Sequence, residues 1–113
     1  MLLATFFPGF AEMALAEGTF HPVSGKEIRT LLTDAQVDYI GKDESAWQFF
    51  HADGRTLYGV GSSESWGRWS VREDQYCSTW PPSSHESCYE MTRQGNTVRF
   101  IGPRGDVYEG EVK

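Results

Sequence analysis

His51 and Asp53 flank Ala52 immediately before Gly54. An imidazole beside a carboxylate can act as a general base or offer two metal ligands. The same pair also suits a half-exposed strand end next to an Asp-Gly turn, and that reading is preferred. Cys77 and Cys88 are the only cysteines. Tetrahedral zinc would need two further ligands, and His85 between them has no partner at the usual spacing. The cysteines are therefore expected to form a disulfide across a hairpin. The acidic residues are numerous, yet none is singled out as a glycosidase pair. Phosphate-loop, dinucleotide, nucleophile-elbow and zinc-protease motifs are absent from the sequence. No catalytic residue, metal ligand or cofactor is assigned, and the chain is not expected to be an enzyme. What chemistry remains is recognition. Trp47, Tyr58, Trp69, Tyr76, Trp80, Tyr89 and Tyr108 could present rings, phenols and indole N–H groups to a ligand. The segment Pro81, Pro82, His85 and Glu86 could meet a partner.

These residues must be positioned by short elements. From Asp34 onward, turn signals alternate with short runs, the rhythm of an antiparallel all-β meander. Strands are expected at 35–40, 45–51, 55–61, 66–72, 75–80, 87–93, 97–101 and 106–112. The Asp53-Gly54 step predicts a tight type I′ hairpin, and a longer turn is expected over Gly61–Ser65. Ser24 and Glu27 form a capping-box pattern before Ile28, Leu31 and Leu32, which predicts one short helix ending at Thr33-Asp34. Period-two alternation assigns Trp47, Phe49, Tyr58, Val60, Trp69, Val71, Tyr76, Trp80, Tyr89, Met91, Val98, Phe100, Tyr108 and Val112 to one apolar face. Gln48, Arg68, Ser70, Arg72, Thr79, Glu90, Thr92, Arg99, Glu109 and Glu111 fall on the other, with Phe50, Trp66 and Val107 as outward apolar residues. A meander with one apolar face must curl into a barrel or be covered. A closed or nearly closed up-and-down barrel of about eight strands is favoured. Rings this large are expected to fill a barrel of that size, with a ligand cavity as the alternative.

The chain has 113 residues, a formal net charge of −6 and a pI near 4.9. One domain fits that length. Its ten basic residues are scattered rather than clustered. Nucleic acid and anionic membrane surfaces need a concentrated basic footprint, so neither is an expected partner. Residues 1–16 are mostly apolar with the single charge Glu12, and end Ala14-Leu15-Ala16. They read as a signal peptide cleaved before Glu17; a truncated start would account for the missing basic residues. The run is too short for a membrane span. The mature domain would be 17–113, and with a disulfide its expected location is periplasmic or secreted.

One pattern is distinctive. A helix ending Leu31-Leu32-Thr33 precedes Trp47-x-Phe49-Phe50-x-x-Asp53-Gly54. Then come Gly67-x-Trp69-x-Val71, Tyr76-Cys77, Cys88-Tyr89 and Gly105-x-x-Tyr108-x-Gly110. Over roughly residues 24–112 this resembles a domain of unknown function found in small secreted or periplasmic proteins of Gram-negative bacteria, mostly alphaproteobacteria. The general shape is similar to lipocalin, avidin and periplasmic inhibitor barrels. The lipocalin Gly-x-Trp near the first strand is missing; Gly67-x-Trp69 lies mid-chain. The resemblance implies a fold and a compartment but no catalytic residues. The expected function is an extracytoplasmic non-catalytic binding module for a small ligand or an envelope protein. The alternatives are an inhibitor of an envelope lysozyme or protease, and a small hydrolase built on His51 and Asp53. A monomer or a homodimer is expected.

Overall fold

The computed structural model describes residues 19–41 and 44–113. The expected signal peptide at 1–16 lies outside the described residues. In chain order the elements are β1 (His21–Pro22), α1 (Gly25–Leu32), β2 (Ala35–Tyr39), β3 (Ala46–Phe50), β4 (Arg55–Val60), β5 (Ser63–Arg72), β6 (Gln75–Thr79), β7 (Glu86–Gln94), β8 (Thr97–Ile101) and β9 (Val107–Val112). Strands β2 to β9 pair each with the next, all antiparallel, and β9 returns to pair with β2. The result is a closed eight-stranded up-and-down barrel; β1 adds two residues alongside β7. Closure leaves the eight strands without an unpaired edge.

Helix α1 plugs one end. Ser24 accepts a hydrogen bond from the Glu27 N–H at 3.2 Å, which caps the first turn. The Glu27 carboxylate does not complete the capping box. It pairs with Arg93 of β7 at 2.8 Å instead, because the docked helix brings that guanidinium within reach. Ile28 and Leu32 are fully buried against the barrel floor. Gly25 is required there: a Cβ at this position would strike the Glu73 carbonyl, and Asp74 accepts the Gly25 N–H at 2.7 Å. The helix plug and the inward residues Val37, Phe50, Trp69, Met91 and Val98 form the core at this end.

Three local expectations are corrected. First, β3 presents the opposite face. Ala46, Gln48 and Phe50 point inward and are buried, while Trp47 and Phe49 lie outside. Four of its five residues are apolar, so alternation could not set the parity. Register sets it: Phe50 lies opposite Ala35 and Thr56, at the plugged end. Second, the loop after β3 is not a two-residue type I′ turn. His51 donates to the Arg55 carbonyl at 2.9 Å and Gly54 to the His51 carbonyl at 3.1 Å, and Gly54 has φ 97°. This is the three-residue loop with glycine in the left-handed position. Third, β5 starts at Ser63, so the expected turn over Gly61–Ser65 shrinks to Gly61-Ser62, with Val60 directly opposite Ser63. The other strands fall where alternation placed them, within a residue or two at their ends.

Candidate functional site

The half of the barrel away from α1 is hollow. A cavity of about 390 Å³ opens at that end. Every barrel strand contributes to it: Tyr39 (β2), Gln48 (β3), Tyr58 (β4), Ser65 (β5), Tyr76 and Ser78 (β6), Tyr89 (β7), Phe100 (β8) and Tyr108 (β9), with Trp80 and Pro81 just past β6. The rings brace one another at the wall. Tyr58 packs edge-on to Trp80 at 6.1 Å, Tyr89 edge-on to Tyr108 at 6.0 Å, and Tyr76 to Phe100 at 5.2 Å. Space remains because small residues sit opposite large ones. Tyr58 faces Ser65 across the β4–β5 ladder, and Trp80 lies flat over Gly67, where any Cβ would meet its indole.

A polar chain forms the cavity floor, and its proton directions can be assigned. The Thr56 hydroxyl donates to the Phe49 carbonyl at 2.7 Å, so its oxygen must accept from Gln48 Nε2 at 2.9 Å. The other Nε2 proton goes to the Tyr76 oxygen at 3.0 Å. Gln48 Oε1 is then an acceptor, and Tyr39 donates to it at 2.6 Å. Tyr76 also bonds Ser78, whose Oγ accepts the Trp80 indole N–H at 3.1 Å. Gln48 is buried at 4 % exposure, and no buried polar side-chain atom among the described residues lacks a partner. Alternation had placed Gln48 on the wet face; a buried amide is tolerated because each of its groups is bonded.

Three of the cavity phenols have their pKa raised. Burial pushes Tyr76 up to about 12, and burial likewise holds Tyr39 well above its ordinary value. Tyr89 is raised by burial and by neighbouring Tyr108. Among the described residues that line the cavity, none carries a charged side chain.

Of the seven aromatic residues expected to face a ligand, Tyr58, Tyr76, Trp80, Tyr89 and Tyr108 line the cavity. Trp69 lies below it, buried at 8 % exposure, donating its indole N–H to the His51 carbonyl at 2.9 Å. Trp47 is on the outer wall, its ring over Gly59. Tyr39, Gln48, Ser65, Ser78 and Phe100 complete the lining. Tyr39 sits at the end of β2 with the same period-two signal as its neighbours, whereas nothing in the sequence marks Gln48. Pro81 borders the cavity mouth; Pro82 and His85 are exposed, and Glu86 begins β7, pairing with Arg72 at 2.9 Å. His51 and Asp53 lie outside the barrel near its plugged end. Asp53 is bonded to Arg55 at 2.9 Å, and that bonding holds its carboxyl below the usual range. The His51 ring packs on Phe49 at 4.6 Å and on Trp66 at 5.8 Å. Cys77 and Cys88 lie directly opposite on β6 and β7 and form a disulfide.

Compared with protein-family models, curated proteins and solved structures, the chain has no match to any of the three.

Proposed function

We propose that this protein is a non-catalytic binding module that takes a small uncharged, ring-bearing molecule into the open end of its barrel. One observation carries the reading: a cavity with walls from all eight barrel strands and no charged side chain among its described lining residues. Burying an unpaired ion there would be costly, so a neutral guest is selected. Ring faces and edges favour a flat ligand, and hydroxyls that remain protonated supply hydrogen bonds. The volume suits a small molecule and falls at the low end of ligand pockets generally. The disulfide and the apolar first sixteen residues support a periplasmic or secreted setting. The motif resemblance to envelope proteins supports it too.

The Pro81–His85 loop favours a second reading, an inhibitor of an envelope lysozyme or protease. It is held by a Ser83 N–H to Trp80 carbonyl bond and a His85 N–H to Ser83 Oγ bond, both 3.1 Å. A pre-ordered loop loses little entropy on docking.

The test is equilibrium dialysis of the purified protein against a panel of neutral aromatic alcohols, ketones and glycosides, alongside the Ser65→Trp variant. Ser65 is an exposed residue at the cavity mouth, so an indole there blocks the cavity while the fold's stability changes by about 0.5 kcal/mol or less. Saturable binding to the native chain and its loss in the variant are expected. Folded protein that binds no member of the panel, or binds it equally with the mouth blocked, would remove this reading.

A further inference from the structure

The outer wall carries a second, chemically different arrangement. Arg55 and Arg68 stand directly opposite each other on β4 and β5. Like charges at such a position repel and weaken the ladder. Arg55 is only partly compensated: Asp53 takes its Nε at 2.9 Å, leaving both terminal nitrogens without a partner among the described residues. Arg68 has no ion pair or side-chain hydrogen bond among the described residues, and its guanidinium lies over Gly54, beside the same turn. Beside this pair runs an apolar row. Phe49, Leu57 and Trp66 are consecutive partners across β3, β4 and β5. Trp66 is 50 % exposed, with Arg55 over its ring at 5.2 Å and His51 stacked on it at 5.8 Å. Arg55, Trp66, Gly67, Arg68 and Pro81 border a groove there.

We infer that this groove is a binding site for a carboxylate carried on a ring with an apolar face. A guanidinium's N–H fork matches a carboxylate, and the charge of a carboxylate bound to both arginines cancels their mutual repulsion. Trp66, half exposed, offers aromatic surface to the ring. Asp53 pairs with Arg55 alone, so the two facing arginines keep a net positive charge on a chain of net charge −6. The ring's source is either an aromatic acid, with a flat π face, or a uronic acid sugar, whose pyranose chair presents a C–H face; both carry the carboxylate. This site lies on the outer wall, so the inference does not rest on the cavity reading.

The experiment follows the Trp66 indole N–H resonance of the folded protein while 2-naphthoate, its methyl ester or trigalacturonate is added. It is done in the Ser65→Trp background, which blocks the cavity. Saturable shifts with one of the acids and none with the ester are expected; which acid saturates identifies the source. Arg68→Gln should weaken that binding about tenfold or more, the loss of a charged hydrogen-bonding partner. It should leave the unliganded protein at least as stable, since it removes a like-charge pair. Equal shifts with ester and acid, no shift with either acid, or an unchanged dissociation constant in Arg68→Gln would overturn the assignment.

Discussion

Gln48 shows how one side chain can organise a barrel interior. It accepts from Tyr39 and donates to Thr56 and Tyr76, so three strands besides its own are tied through one amide. Its place was not legible in the sequence, because a polar residue in a mostly apolar strand reads as the wet side. Only the register of β3 between β2 and β4 turns it inward. Tyr76 lends itself to a direct measurement. Its pKa rises from 10 in a solvated chain to about 12 in the fold, mainly through burial. Below pH 10 both states keep the proton. Above it the unfolded chain ionises first, so stability is expected to fall as pH rises from 10 towards about 12. Phenolate absorbance should show a late-titrating group of tyrosines that includes Tyr39 and Tyr76, and its amplitude should fall by one phenol in Tyr76→Phe. That variant also loses the Gln48 bond and should be less stable by about 1 kcal/mol in urea unfolding. An unchanged late step in Tyr76→Phe would assign it to another residue.

Among the elements, the β6–β7 hairpin is the most constrained. Cys77 and Cys88 were readable as a pair because both fall on the polar parity of neighbouring strands, and the structure joins them at directly opposed positions. They enclose the loop that carries Pro81 to the cavity mouth. Cross-linking a loop of this length contributes about 3 kcal/mol in the chain-entropy account. Reduction by dithiothreitol, or the double change Cys77→Ser with Cys88→Ser, is expected to lower the melting temperature by about 10 °C or more. A midpoint insensitive to reduction would contradict this. Helix α1 depends on its surroundings in a different way. Eight residues are too few for a stable isolated helix, so it persists by burying Ile28 and Leu32 and by fitting Gly25 against the β5–β6 turn. Its cap was legible in Ser24; its docking partner was not, since Asp74 is remote in sequence.

For the whole molecule, the two ends of the barrel differ. The plugged end holds Phe50, Met91 and Val98 in a filled core, while the other end opens into the cavity. Amide hydrogen exchange should therefore be slowest at Phe50, Met91 and Val98 and faster around Tyr39, Tyr58 and Tyr108 at the open end. A saturating cavity ligand should slow the second group and leave the first unchanged; uniform protection would argue against a hollow half. Much of this architecture was determined by the sequence alone. The spacing of turn residues sets the number and order of strands, alternation sets the face of most of them, and the cysteine positions set the disulfide. Those are local or nearest-neighbour properties, carried by residues close in the chain or paired across one hairpin. Tertiary structure decided the rest: the return of β9 to β2, the parity of β3, the hollow half and the arginine pair on the outer wall. Each depends on register summed around a closed ring of strands. Shifting one strand by a single residue exchanges its inner and outer faces, and a sequence with apolar residues on both parities does not state which shift is chosen.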